Sequence, residues 1–498
     1  MPAAVRCLIL LLTLAAGLGL GACGGGTGGS AAAVIGTAGS DSGAALSPGP
    51  ALESPSAAVT ASAPTTAPTP VPSLLPALQA PPLPRASLTA DDLAVLIAEG
   101  DPLSEAIGLA YQRARAIPEA NLLRLRVPAG SDVISAEAFA VLKATIDARL
   151  PASAQATLVT WTQPSRVQGS CSMGITSALA LGYSASRCGS CSRTEASAYY
   201  DSDSTRPATE LQIRPSMMLG AATLEAAQAL IARGLAADGS QPAGTGYLMR
   251  TSDAARSVRY TDYLALPAAW TTAPALALRY VDASASSSAG LDSQYLSNQS
   301  DVLFYFTGQS RVPQLASNRF LPGAAADHLT SFGGLLPGGN GQMPATDWLA
   351  AGATASYGTV EEPCNFPEKF SRASVLVEHY LRGATLIEAY WKSVARPGQG
   401  LFVGDPLARP WNQAPSAAIE GRELVMRTRS LRRGGAYRVE WRAAGSSTWM
   451  ILASLSAGQP RPVTWRVPLP ANTAGSLLRW IGPCPTQTGQ SCVLSVSS

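Results

Sequence analysis

Histidine is scarce in this chain: His328 and His379 are the only two in 498 residues. No H-E-x-x-H pair can be formed from them, so metalloprotease chemistry of that type is excluded. Charge is also thin, with 14% of residues ionic and a formal net charge of +3. No basic patch with interleaved aromatics occurs, which argues against nucleic acid as a partner. No G-x-S-x-G elbow is followed by a suitable histidine. Neither Gly-rich run is a phosphate loop: GGGTGG lies in a low-complexity stretch, and GGLLPGGNG lacks the Lys-Ser/Thr ending. No metal or cofactor is therefore expected. Repeats of solenoid type are missing too, and beyond the N-terminus no segment has the length and purity of a membrane span.

The N-terminus carries Arg6 and then LILLLTLAAGLGL, a positive region followed by an apolar run of leader type. The run ends in Leu20-Gly21-Ala22-Cys23, which resembles the lipobox of bacterial lipoproteins. The resemblance implies cleavage before Cys23 and acylation of that residue, with several acyl chains giving stable anchoring. An ordinary secretory peptide or a retained anchor are the alternatives. Residues 1–22 are read as the leader and 23–85 as a Gly/Ser and then Pro/Ala-rich tether, too poor in apolar area to offset its ordering entropy. As a flexible coil it reaches about 40–45 Å. The expected setting is the bacterial envelope, with Cys23 in a lipid membrane. Gly24 is compatible with sorting to the outer membrane.

The remaining length suggests two domains. Residues 86–411 read as α/β. Thr89 and Asp92 predict a capped helix over TADDLAVLIAEG, and PLSEAIGLAYQRARA, SAEAFAVLKATIDARL (capped by Ser135), TLEAAQALIARG and GATLIEAYWKSV predict further helices. NLLRLRVP, ATLVTW, GYLMRTS, LALRYVDA, DVLFYF, AGATASYG and LFVGD predict strands, many of them apolar without alternation, as in a mostly parallel sheet flanked by helices. Residues 412–498 change character to short alternating runs separated by Gly, Ser and Pro. There Tyr437, Val439 and Trp441 share one strand face, as do Val463, Trp465 and Val467. This predicts a small β-sandwich resembling a fibronectin type III module. A β-extension of the first domain is the alternative.

With Cys7 in the leader and Cys23 lipidated, six cysteines remain: Cys171, Cys188, Cys191, Cys364, Cys484 and Cys492. An even number outside the cytoplasm favours disulfides. Cys484 and Cys492 flank the polar loop PTQTGQS. Cys188-x-x-Cys191 also has the spacing for half a zinc site, and the pairing stays open.

Any thiol nucleophile needs an imidazole within hydrogen-bond reach. His379, in ASVLVEHYLRG, reads as a partly exposed packing residue of a helix. His328, in AADHLTSFGG, follows a Gly/Ala run and precedes Thr330, Ser331 and two glycines, as a strand-end turn or a site both require. Asp327 is expected to fix the turn. GATASYGTVEEPCNF then places Ser356, Thr359, Glu361, Glu362 and Cys364 at a strand end, where α/β sheets bind ligands. His328 with Cys364 is the catalytic pair to test, with Gln309, Thr330, Ser331, Ser356, Thr359, Glu361 and Glu362 as the surrounding pocket. A glycan-acting enzyme using Glu361 is a third reading.

Two resemblances follow from these stretches. ADHLTSFGG, GATASYGTVEEPCN and LRGATLIEAYWKSVARPGQGLFVGDPLARPW, with RAIPEANLLRL and RPSMML, look like an uncharacterised bacterial family found in genomes with exosortase-type protein sorting. That likeness spans about residues 100–411 and implies no activity. DVLFYFTGQS, then ADHLTSFGG, a Gly-Ala strand, a helix and GDP, is similar in order to gingipain and caspase-like peptidases, which carry His-Gly after one strand and the nucleophilic Cys after the next. Here the matching positions hold Gln309-Ser310 and Thr330-Ser331. The resemblance therefore implies a peptidase-like domain without its dyad, acting in binding or scaffolding towards an envelope protein or polysaccharide. A cysteine peptidase-like hydrolase using His328 and Cys364 is the rival.

Overall fold

The computed structural model describes residues 75–270, 276–285, 294–486 and 489–498. The expected leader, Cys7, the expected lipidation site Cys23 and the stretch read as a tether up to residue 74 lie outside these residues. Among the described residues, no helix is long and apolar enough to cross a membrane.

Ten strands form one sheet: β1 Leu93–Ala98, β2 Leu122–Leu125, β3 Ala156–Val159, β4 Ser216–Met218, β5 Gly244–Arg250, β6 Leu276–Asp282, β7 Val302–Gly308, β8 Phe320–Leu329, β9 Ala355–Thr359 and β10 Gly400–Gly404. Their order is β2-β1-β3-β4-β10-β9-β8-β7-β5-β6. Neighbours run parallel except β9 and β10, which pair antiparallel with Ser356 opposite Val403. The mixed α/β class with a mostly parallel sheet is thus present. It follows from the sequence because β1, β3, β7 and β10 are buried along their whole length and apolar on both faces, as a helix-covered parallel sheet requires.

The helices expected at Pro102–Arg115, Ala136–Arg149, Leu224–Ala237 and Leu386–Ser393 are present. Asp101, Ser135 and Thr223 each cap one by accepting backbone N–H bonds, and Thr385 with Glu388 forms a capping box on the last. One element differs. TADDLAVLIAEG is a single 3-10 turn, Ala90–Asp92, followed by β1. The predicted Thr89–Asp92 box exists, but it caps only that turn. LAVLIA has no polar position for a solvent face, and all six residues are buried between neighbouring strands.

Residues 416–496 form two antiparallel sheets. One holds Ser416–Glu420, Glu423–Thr428 and Val463–Pro468; the other holds Ala436–Arg442, Met450–Ser456, Leu477–Pro483 and Ser491–Val496. Leu424, Tyr437, Val439, Trp441, Val467 and Trp480 make a core of their own. The tether ends earlier than expected: Leu78 packs into this second core, the Pro76 carbonyl accepts from the Gly475 N–H at 2.9 Å, and Arg85 pairs with Asp92 at 2.7 Å. Three disulfides join Cys171–Cys188, Cys191–Cys364 and Cys484–Cys492.

Candidate functional site

The carboxyl ends of β5, β7, β8 and β9 lie along one edge of the sheet, because these strands are parallel. At that edge Arg259, in the segment after β5, donates from Nη1 to Asp327 Oδ1 of β8 (2.6 Å) and to the Ser371 hydroxyl and carbonyl (3.1 Å each). Its Nη2 donates to the Thr307 carbonyl of β7 at 2.8 Å. Ser371 Oγ donates to Asp327 Oδ2. The two charged side chains are only 3% and 1% exposed. Burial works to raise the Asp327 carboxyl above its ordinary range, while Arg259 and Ser371 hold its charged form. Four chain segments are pinned together by this group, and above it opens a cleft of about 450 Å³ walled by Tyr200, Val258, Asp262, Phe370, Arg372 and Ser393. Asp262 on its rim accepts from Arg372 Nε (2.8 Å) and from the Ser374 N–H and hydroxyl (2.9 and 2.5 Å).

His328 belongs to β8, and its ring is buried beneath that edge. Trp348 Nε1 donates to its Nδ1 at 2.9 Å, so the ring proton sits on Nε2, which donates to the Met343 carbonyl at 3.1 Å. Burial, with Arg259 adding repulsion, pushes its pKa down to about 3. Both nitrogens of a neutral ring are engaged, and neither is left to take a proton from a nucleophile. Cys364 is bonded to Cys191 and holds no thiol. The expected His328–Cys364 pair is therefore overturned on both members. His379 also departs from expectation: it is buried, with Nε2 donating to Asp201 Oδ1 at 3.0 Å, and burial lowers its pKa to about 3.

The rest of the expected pocket divides into three places. Gln309, Thr330, Ser331 and Thr359 do gather at the sheet edge, but Gln309 Nε2 and the Thr330 and Thr359 hydroxyls are held by hydrogen bonds. Gln309 Nε2 donates to the Gln294 carbonyl (2.5 Å), and Thr330 Oγ1 donates to Gln342 Oε1 (2.6 Å) while accepting from Arg256 Nε (3.2 Å). Thr359 Oγ1 bridges the Thr330 and Ser331 carbonyls at 3.1 and 2.9 Å. The backbone crowds in as well: a Cβ on Gly308 would stand 2.0 Å from the Arg256 carbonyl oxygen, and one on Gly358 would stand 2.3 Å from the Gly333 carbonyl carbon. Ser356 lies wholly buried inside β9, away from solvent. Glu361 and Glu362 sit in the cystine loop, where their carboxylates accept the Ser172 and Cys364 N–H groups at 2.8 and 2.9 Å. Each carboxylate thus holds one backbone N–H in place.

Nearby, Lys369 is buried and donates to the Ser190 carbonyl at 2.5 Å, its pKa lowered to about 8 mainly by desolvation. Cys191, Glu362 and Cys364 come within 4.8 Å through their donor atoms, but sulfurs joined in a disulfide offer no thiolate to a cation.

Arg259, Ser371, Asp262 and Arg372 carried no local signal in the sequence. Asp327 was expected to bond backbone amides; its partners are a guanidinium 68 residues away and a hydroxyl 44 away. No known family, curated protein or solved structure matches the chain.

Proposed function

We propose that this chain is a lipid-anchored envelope protein whose α/β domain follows a caspase- or gingipain-like plan and binds its target without cleaving it. One observation carries the reading. Gly308 pairs with Leu329 at the ends of adjacent strands β7 and β8, so Gln309 and Thr330 emerge side by side where the resemblance puts the catalytic His and Cys. An amide and a hydroxyl stand there, the amide nitrogen and the hydroxyl already bonded, and neither side chain accepts a proton at neutral pH. The cleft over Arg259 and Asp327 remains open to a ligand and is the candidate contact for an envelope protein or polysaccharide. The fibronectin-like module would space or bind, and the exosortase-associated resemblance suggests protein sorting or exopolysaccharide as the setting.

The test is the full chain incubated with thiol-reactive peptide probes and with a fluorogenic peptide library. No labelling and no turnover above background are expected, before and after His328→Ala. Turnover abolished by His328→Ala would refute the binding reading. For the anchor, Cys23→Ser is expected to move the protein from the membrane to the soluble fraction; unchanged membrane association would refute lipidation.

A further inference from the structure

The Cys191–Cys364 bond differs from the other two disulfides in its surroundings. Of the six bonded cysteines Cys191 alone is exposed, whereas Cys171, Cys188 and Cys484 are buried. A dithiol donor therefore reaches this bond before the others. Opening it does not release the loops that it joins. The Ser190 hydroxyl donates to the Glu362 carbonyl (3.3 Å) and Lys369 donates to the Ser190 carbonyl (2.5 Å). Gln399 Nε2 also clamps the two loops, at 3.2 Å from the Ser190 carbonyl and 3.5 Å from that of Glu362.

Three metal-ligand atoms are gathered at this place. Sγ of Cys191, Sγ of Cys364 and a carboxylate oxygen of Glu362 all lie within 4.8 Å of one another. The backbone aims that carboxylate: Oε1 accepts the Cys364 N–H at 2.9 Å, and among the described residues Oε2 makes no hydrogen bond. The two cysteine Cα atoms are 5.1 Å apart. Rotation about the side-chain bonds alone can then carry freed sulfurs to about 3.8 Å, the separation of two thiolates on one tetrahedral ion. Two soft thiolates with one carboxylate select Zn²⁺ over Mg²⁺ or Ca²⁺. Such a complex carries one net negative charge, and the Lys369 ammonium, which already interacts with Glu362, supplies the matching positive one.

We propose that reduction of Cys191–Cys364 turns this place into a zinc site held by Cys191, Cys364 and Glu362. The fourth position faces solvent on the exposed side of Cys191. A dithiol donor supplies two electrons and two protons: its own S–S bond forms as the Cys191–Cys364 bond breaks, and two thiols remain. Zn²⁺ then displaces both thiol protons to solvent and binds the thiolates. The oxidised chain has no thiolate to offer, so the site loads only in its reduced state.

The experiment treats the full chain with limiting dithiothreitol, removes the reagent by gel filtration without oxygen, and titrates Co²⁺ as a coloured stand-in for Zn²⁺. Alkylation with peptide mass mapping should find Cys191 and Cys364 freed ahead of the other bonded cysteines. The reduced chain should bind Co²⁺ with a thiolate-to-metal charge-transfer band that Zn²⁺ then abolishes, and the oxidised chain should show no band. Glu362→Gln should weaken the Kd about tenfold or more, and Cys364→Ser should abolish the band. Earlier opening of another disulfide, no band in the reduced chain, a band that survives Cys364→Ser, or an unchanged Kd in Glu362→Gln would overturn the proposal. Glu362→Gln keeps both cysteines, so it decides the question should Cys364→Ser not fold.

Discussion

Acidification is expected to destabilise this chain steeply from about pH 6.5 downward, before its carboxylates begin to titrate. His328 and His379 are both buried, and both pKa values fall from 6.5 to about 3, chiefly by burial. Above about pH 6.5 each ring is neutral in both states, and stability is at its full value. As pH falls below that, the unfolded chain takes up one proton per histidine while the native chain takes up none until about pH 3. Stability therefore drops with a slope approaching 2.7 kcal/mol per pH unit for the two rings together, at about 1.36 kcal/mol each. Against a typical total of about 5–15 kcal/mol, two units of acidification remove about 5 kcal/mol, from a third to all of the stability. Asp201 and Asp203, held below the ordinary carboxylate range while burial opposes that shift, add to the loss only near and below pH 4; half-buried Asp238 and Asp347, pushed above it, offset part. Urea unfolding at pH 8, 6, 5 and 4 would measure the slope, and His328→Gln and His379→Gln should each remove about one proton from it. A stability that stays flat from pH 7 to pH 4.5 would sink this account.

The histidines also show how far the sequence could be read. Rarity drew attention to His328, but rarity says nothing of burial. The strand that carries it, FLPGAAADHL, has a proline, a glycine and three alanines, with no β-branched residue, so local propensity argues against a strand. It is a strand because small residues at the centre of the sheet let Tyr380 and Tyr390 approach its Gly323 and Ala326 carbonyls. β1 misled in the opposite way: its cap was real, while the choice between helix and strand lay in burial on both faces. The alternating strands of the C-terminal module were legible because their pattern is local: Tyr437, Val439 and Trp441 do point into one core. The even cysteine count was legible too, but no pattern tells Cys191 to choose Cys364 across 173 residues. The Arg259–Asp327–Ser371 group is non-local in the same sense. It became visible only once three parallel strands brought their ends together.

That long-range disulfide should be the largest single covalent contribution to stability. Constraining the unfolded chain over a separation of 173 residues is worth about 5 kcal/mol in the chain-entropy account, against about 3 for Cys171–Cys188 and about 2.5 for Cys484–Cys492. Native geometry should survive its removal, because the same two loops are also joined by Lys369 donating to the Ser190 carbonyl (2.5 Å) and by the Ser190 hydroxyl donating to the Glu362 carbonyl (3.3 Å). The double variant Cys191→Ser/Cys364→Ser is thus expected to fold and to lose more stability in guanidinium than Cys484→Ser/Cys492→Ser. Equal losses, or the reverse order, would mean that the entropy of the long loop is not what this bond restrains. The single variant Cys191→Ser asks a sharper question, since it frees the Cys364 thiol in place. If the bond alone silenced a peptidase, hydrolysis should appear. We expect none: the His328 ring stays neutral and bonded to Trp348 and Met343, so the freed thiol gains no base.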